Sequence, residues 1–170
     1  AEANLALERG RADRRARGQT EADAPVSFLA LSGGGDNGAF GAGYVVGWTA
    51  TGMRPVFRMV TGISTGALIA PFAFLGPAYD EQLKAVYTTL GAERVFFRRR
   101  LTAALFSDAL ADSGPLADTI AYYANESMLA AIAEEYRRGR LLLIGTTDLD
   151  AQRPVIWNVG AIAASIDSLA

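Results

Sequence analysis

Short apolar runs alternate along this chain with longer stretches in which apolar positions recur every three or four residues, and glycine or proline stands at most of the changeovers. Residues 26–32 and 141–147 are apolar on both faces, as strands buried in a parallel sheet are. Residues 57–61 and 154–158 predict two more strands. Between them lie helical patterns. Residues 39–51 carry no charge, are rich in small side chains and space Phe40, Tyr44 and Trp48 four apart, which predicts a buried helix ending at Gly52. Residues 65–75 predict the helix that the second strand enters. Asp80 is expected to cap a helix reaching Leu90, with Leu83, Val86, Tyr87 and Leu90 on one face. Helices over 101–110 and 116–123 follow, the second opened by Pro115. Asn125 then caps 126–138, whose stripe is Met128, Leu129, Ile132 and Tyr136. A last helix begins at Gly160. Strands alternating with helices, twice with glycine at the turn, predict an α/β fold with a mainly parallel sheet.

The first 24 residues break this pattern. Arg9, Arg11, Arg14, Arg15 and Arg17 are diluted by Glu2, Glu8, Asp13, Glu21 and Asp23, and large apolar side chains are few, so a solvated helical or disordered arm is expected ahead of a domain over 25–170. With 170 residues, 51% of them hydrophobic and 20% charged, one domain with a real core is the expectation. A net charge of -2 and a pI near 5.2 argue against a nucleic-acid partner. The charge-free run 59–79 is long enough to raise a membrane span. Gly62, Gly66, Pro71, Gly76 and Pro77 make it a buried strand, turn and helix instead. The run Val95-Phe96-Phe97, two of its residues aromatic, beside Arg98, Arg99 and Arg100 reads as a surface turn, with dipping into a lipid interface as the other reading. No stretch reads as a signal peptide, and compartment and oligomeric state stay open.

Cysteine and histidine are both absent, which removes disulfides, thiolate zinc sites, a Ser-His-Asp triad and histidine metal ligands. What remains is a serine. Gly62-Ile63-Ser64-Thr65-Gly66, between an apolar strand and an apolar helix, is the pattern of a nucleophile elbow, in which a sharp turn offers the hydroxyl and glycines let strand and helix approach. Upstream, Gly33-Gly34-Gly35-Asp36-Asn37-Gly38 also follows a strand and precedes a helix. As a dinucleotide loop it would need an acidic residue about 20 positions on. No Asp or Glu lies between Asp36 and Asp80, and the Gly-Lys-Ser/Thr of a Walker loop is missing. Consecutive glycines can instead aim backbone N–H groups at one point, with the helix dipole behind them, as an oxyanion hole requires. Loops after neighbouring parallel strands share the carboxyl edge, so the glycines are expected beside Ser64. Asp36 is expected to cap the helix or bind backbone N–H groups.

Two motifs in this order, about thirty residues apart and without histidine, resemble the patatin-like phospholipases over 26–158. The resemblance implies a three-layer αβα sandwich and hydrolysis of lipid acyl esters, chiefly phospholipids, without metal or cofactor. It implies Ser64 as nucleophile, the loop Gly33, Gly34, Gly35 and Gly38 as oxyanion hole, and a Ser-Asp dyad. Lipid would be the partner, with transient contact at a membrane surface. The chain departs from the family at Asn37, where a basic residue is usual, and in having no Asp-Gly pair. The dyad acid is therefore expected beyond Ala170. Within the chain the candidate is Asp148, after the third strand, against a surface-turn reading of residues 147–152. The alternative function is a non-catalytic lipid-binding or scaffold relative.

Overall fold

The computed structural model describes residues 2–19, 26–88 and 124–167. The Val95–Arg100 run, the helices expected over 101–110 and 116–123, Leu90, the end of the arm and the side chain of Asp36 lie outside the described residues. Four strands, β1 (Ser27–Leu31), β2 (Phe57–Ile63), β3 (Leu141–Asp148) and β4 (Arg153–Asn158), form one sheet in that order. β1, β2 and β3 are parallel, and β4 returns antiparallel to β3. Six helices are described: α1 (Glu2–Ala16), α2 (Gly38–Ala50), α3 (Thr65–Leu75), α4 (Asp80–Thr88), α5 (Glu126–Arg137) and α6 (Val159–Asp167). The result is an α/β fold whose mixed, mostly parallel sheet is flanked by helices, in keeping with the sandwich expected.

Register explains the core. Leu29, Val60 and Leu142 pair across β1, β2 and β3 and so point to one face, where they meet Ile69, Phe72, Leu83, Met128, Ile132 and Ala163 from four of the helices. β1 is half-buried, and on that face only. Phe28, on the other, is 62% exposed, so no described element covers that face of β1, which is the edge strand of the described sheet. The charge-free run from residue 59 is β2, a turn and α3, and no described helix is long and apolar enough to cross a membrane. At α5 the Asn125 cap is present, its Oδ1 accepting from the Met128 N–H at 3.0 Å.

Two expectations change. α2 is buried, but not through its aromatics. Gly38, Ala42 and Val45 face the core, while Phe40 and Tyr44 point outward and only Trp48 reaches inside, edge-on to Phe57 at 5.6 Å between ring centroids. Small residues win that face because they let α2 lie close to its neighbours; the Cβ position of Gly41 is already 3.2 Å from Ile69. α1, expected as a solvated arm, is helical yet docked, with Ala6 and Gly10 buried. Arg58 donates to the Ala6 carbonyl, Arg9 to that of Tyr136, and Glu2 pairs with Arg9 at 2.7 Å. Arg9 holds the Glu2 carboxyl below its ordinary range, so this contribution is present at neutral pH and fades as pH falls through the depressed value.

Asp80 also does something other than capping. It opens α4 and pairs with Arg54 at 2.7 Å, the two side chains only 9% and 2% exposed. Arg54 further donates to the Ala73 carbonyl at 2.9 Å and to Thr49 at 2.8 Å, satisfying the end of α3. Removing one member leaves the other charge buried and unpaired. Asp80→Ala should therefore lose about 3–5 kcal/mol of unfolding free energy in urea titrations. A loss near zero would show that the pair carries no such weight.

Candidate active site

Ser64 is the single residue between β2 and α3, and its backbone is unusual. At φ 55° and ψ -125° it has positive φ yet lies outside the left-handed helical well, a strained state for a residue with a Cβ. The cause lies on either side. A Cβ at Gly62 would stand 2.5 Å from the Gly66 carbonyl oxygen and 2.8 Å from the Ala67 Cα, and one at Gly66 would collide with the Leu31 carbonyl at the end of β1. The first turn of α3 is thus pressed onto β1 and β2 together, and the chain can make that approach only by swinging sharply at Ser64. Its side chain is left exposed at the sheet's carboxyl edge.

The glycine loop reaches the same place. Leu31 pairs with Gly62 in register, so β1 and β2 end side by side. The Cβ direction of Gly33 points at Ser64, 3.0 Å from its Cβ and 3.6 Å from its Oγ. Gly35, at φ 52°, begins a short 3-10 turn, and α2 starts at Gly38. Among the described residues, no hydrogen bond from the N–H groups of Gly34 or Gly35 to a backbone acceptor is found. Gly38 is buried against Thr65, its Cβ position 3.0 Å from that of Thr65 and 3.1 Å from the Tyr87 hydroxyl. The amino ends of α2 and α3 therefore converge at the serine, and both dipoles favour negative charge there. A hydroxyl on a turn, beside N–H donors and two positive helix ends, suits attack on a carbonyl and stabilisation of the oxyanion that forms.

The structure brings Ser64, Gly33, Gly34, Gly35 and Gly38 to one edge. Asp148 stands apart. Ile63 is level with Gly145, so Asp148 lies three residues, about 10 Å, further along β3. Its Oδ1 accepts from the Ala151 N–H at 2.9 Å in the β3–β4 turn. Among the described residues no carboxylate hydrogen-bonds Ser64; Asp80 is held by Arg54, Glu135 by Arg138 and Arg140, and Asp167 by Arg137. Sequence reasoning passed over Thr65 and Tyr87, which wedge α2 against α3. Thr65 sits inside the elbow motif, whereas nothing in the pattern around Tyr87 points to Gly38, 49 positions away.

The model of the patatin-like phospholipase family matches residues 29–164. No curated protein and no solved structure matches the chain.

Strain of this kind is measurable. Ser64→Gly relieves the positive φ, whereas Ser64→Ala keeps it, so the glycine variant should be more stable than the alanine variant by about 1 kcal/mol, after the extra flexibility of its unfolded chain is counted. Equal unfolding midpoints for the two would remove the strain argument.

Proposed function

The chain belongs to the patatin-like phospholipase family, and we propose that within it Ser64 is the nucleophile of a lipid acyl hydrolase of the phospholipase A type. The observation that carries this reading is the strained, exposed Ser64 backbone between Gly62 and Gly66, with Gly33 against it. In the proposed reaction Ser64 Oγ attacks the ester carbonyl carbon and passes its proton to a carboxylate. The N–H groups of Gly34 and Gly35, backed by α2, hold the oxyanion. Collapse expels the alcohol, which takes the proton back. Water, deprotonated by the same carboxylate, then releases the fatty acid and restores Ser64.

We assign the proton acceptor to an aspartate of an Asp-Gly turn outside residues 1–170. No histidine and no Asp-Gly pair occurs in residues 1–170, and Asp80 and Asp148 are bound elsewhere. Asp148 is the candidate within the chain. A fluorophosphonate probe separates the readings, since attack without a positioned base is slower by about 10²-fold or more. The expected result is slow labelling of the 170-residue chain and rapid labelling, at Ser64, of a chain extended to include an Asp-Gly turn. Rapid labelling of the short chain, abolished by Asp148→Asn, would place the base at Asp148. An extended chain that stays unreactive would favour the non-catalytic relative.

The oxyanion assignment has its own test in that active form. Proline at position 34 deletes one N–H donor and should lower turnover by about 10²-fold. Position 35 is unsuitable, because its φ of 52° is closed to proline. Unchanged turnover in a folded Gly34→Pro variant would remove Gly34 from the hole.

A further inference from the structure

Three elements place exposed apolar side chains around Ser64. Phe40, in the first turn of α2, is 76% exposed; Ile63, immediately before Ser64, 59%; and Leu149, at the tip of the β3–β4 hairpin, 65%. The parallel order of β1, β2 and β3 puts all three at the carboxyl edge, on both flanks of the serine. Tyr44 extends the patch down α2, its ring centroid 6.4 Å from that of Phe40, and α2 contains no charged residue along its length. Apolar side chains gathered this way mark a surface that another apolar body covers.

The occupant is set by position and charge. This edge surrounds the hydroxyl of a protein whose family hydrolyses lipids, and an ester held in a lipid aggregate reaches Ser64 only if the edge lies on that aggregate. Among the described residues the charges there are Asp148 and Asp150 against Arg153, a net of about one negative, which disfavours an anionic surface. Arg14 and Arg15 sit on α1, docked against the start of β2 at the opposite edge, so an anionic bilayer would draw the wrong end of the molecule. We propose that Phe40, Ile63 and Leu149 form a docking edge that seats on a neutral, zwitterionic lipid surface. The inference rests on Ser64 acting on lipid esters.

Binding can be read apart from chemistry by using the Ser64→Ala chain. Sedimentation with phosphatidylcholine vesicles should carry it down, and adding phosphatidylserine should weaken the partition. Phe40→Ser and Leu149→Ser should each lower the partition coefficient about tenfold, the factor for withdrawing one large apolar side chain. Val56→Ser, at the amino edge, should leave it unchanged. Thermal unfolding of each variant confirms the fold. No sedimentation, equal partition of folded Phe40→Ser and Leu149→Ser variants, or binding that needs phosphatidylserine together with Arg14 and Arg15 would each overturn the proposal. Because the serine is absent from this assay, vesicle binding survives even if fluorophosphonate labelling goes against the hydrolase reading.

Discussion

The rest of the structure depends on how closely the first turn of α3 lies against the ends of β1 and β2. At Gly66 the backbone meets the Leu31 carbonyl, and at Gly62 it meets the carbonyl of Gly66 itself, so neither position has room for a side chain. Several features follow from this contact. β1 and β2 end level with one another, Gly33 is brought against Ser64, and the chain between Gly62 and Gly66 is left a single strained conformation. A backbone state of this kind persists only when its surroundings over-determine it.

Those surroundings extend to the far end of α3. There Arg54 and Arg140, both nearly buried, donate to the carbonyls of Ala73 and Phe74, while Arg140 also bonds the Phe57 carbonyl at the start of β2. Asp80 and Glu135 balance the two guanidinium charges. The helix is thus tied to β2 at its carboxyl end and wedged between strands at its amino end. Such a scaffold can hold a hydroxyl in place while leaving the edge above it open, the division of labour expected when rigid elements position a functional loop.

Large apolar side chains are exposed at both ends of the sheet, Phe40, Ile63 and Leu149 at the carboxyl edge and Val56 at the amino edge. Ion pairs on α1, α4 and α5 hold Glu2, Glu81 and Glu135. Around the serine stand backbone donors, helix amino ends and uncovered apolar side chains. Such an edge matches the proposed substrate, an ester carbonyl attached to a hydrocarbon chain.

Local backbone chemistry was legible in the sequence. The elbow at Gly62–Gly66, the glycine loop, the Asn125 cap and the four strands all rest on signals within a few residues of each other, because turns, caps and alternation are short-range demands. The order of two loops after two strands was enough to place Gly33 and Ser64 on one edge. Facing and pairing were decided by tertiary structure. The aromatic spacing in α2 marked a stripe, yet the small residues Gly38, Ala42 and Val45 took the core because a close helix contact has no room for rings. Arg54 and Asp80 are 26 positions apart, and α1 meets Tyr136 across more than a hundred, distances over which no local pattern carries information. Asp148 shows the same limit, since its place after a strand named it a candidate, and only the register of β3 showed it bound within its own turn about 10 Å beyond the level of Ile63.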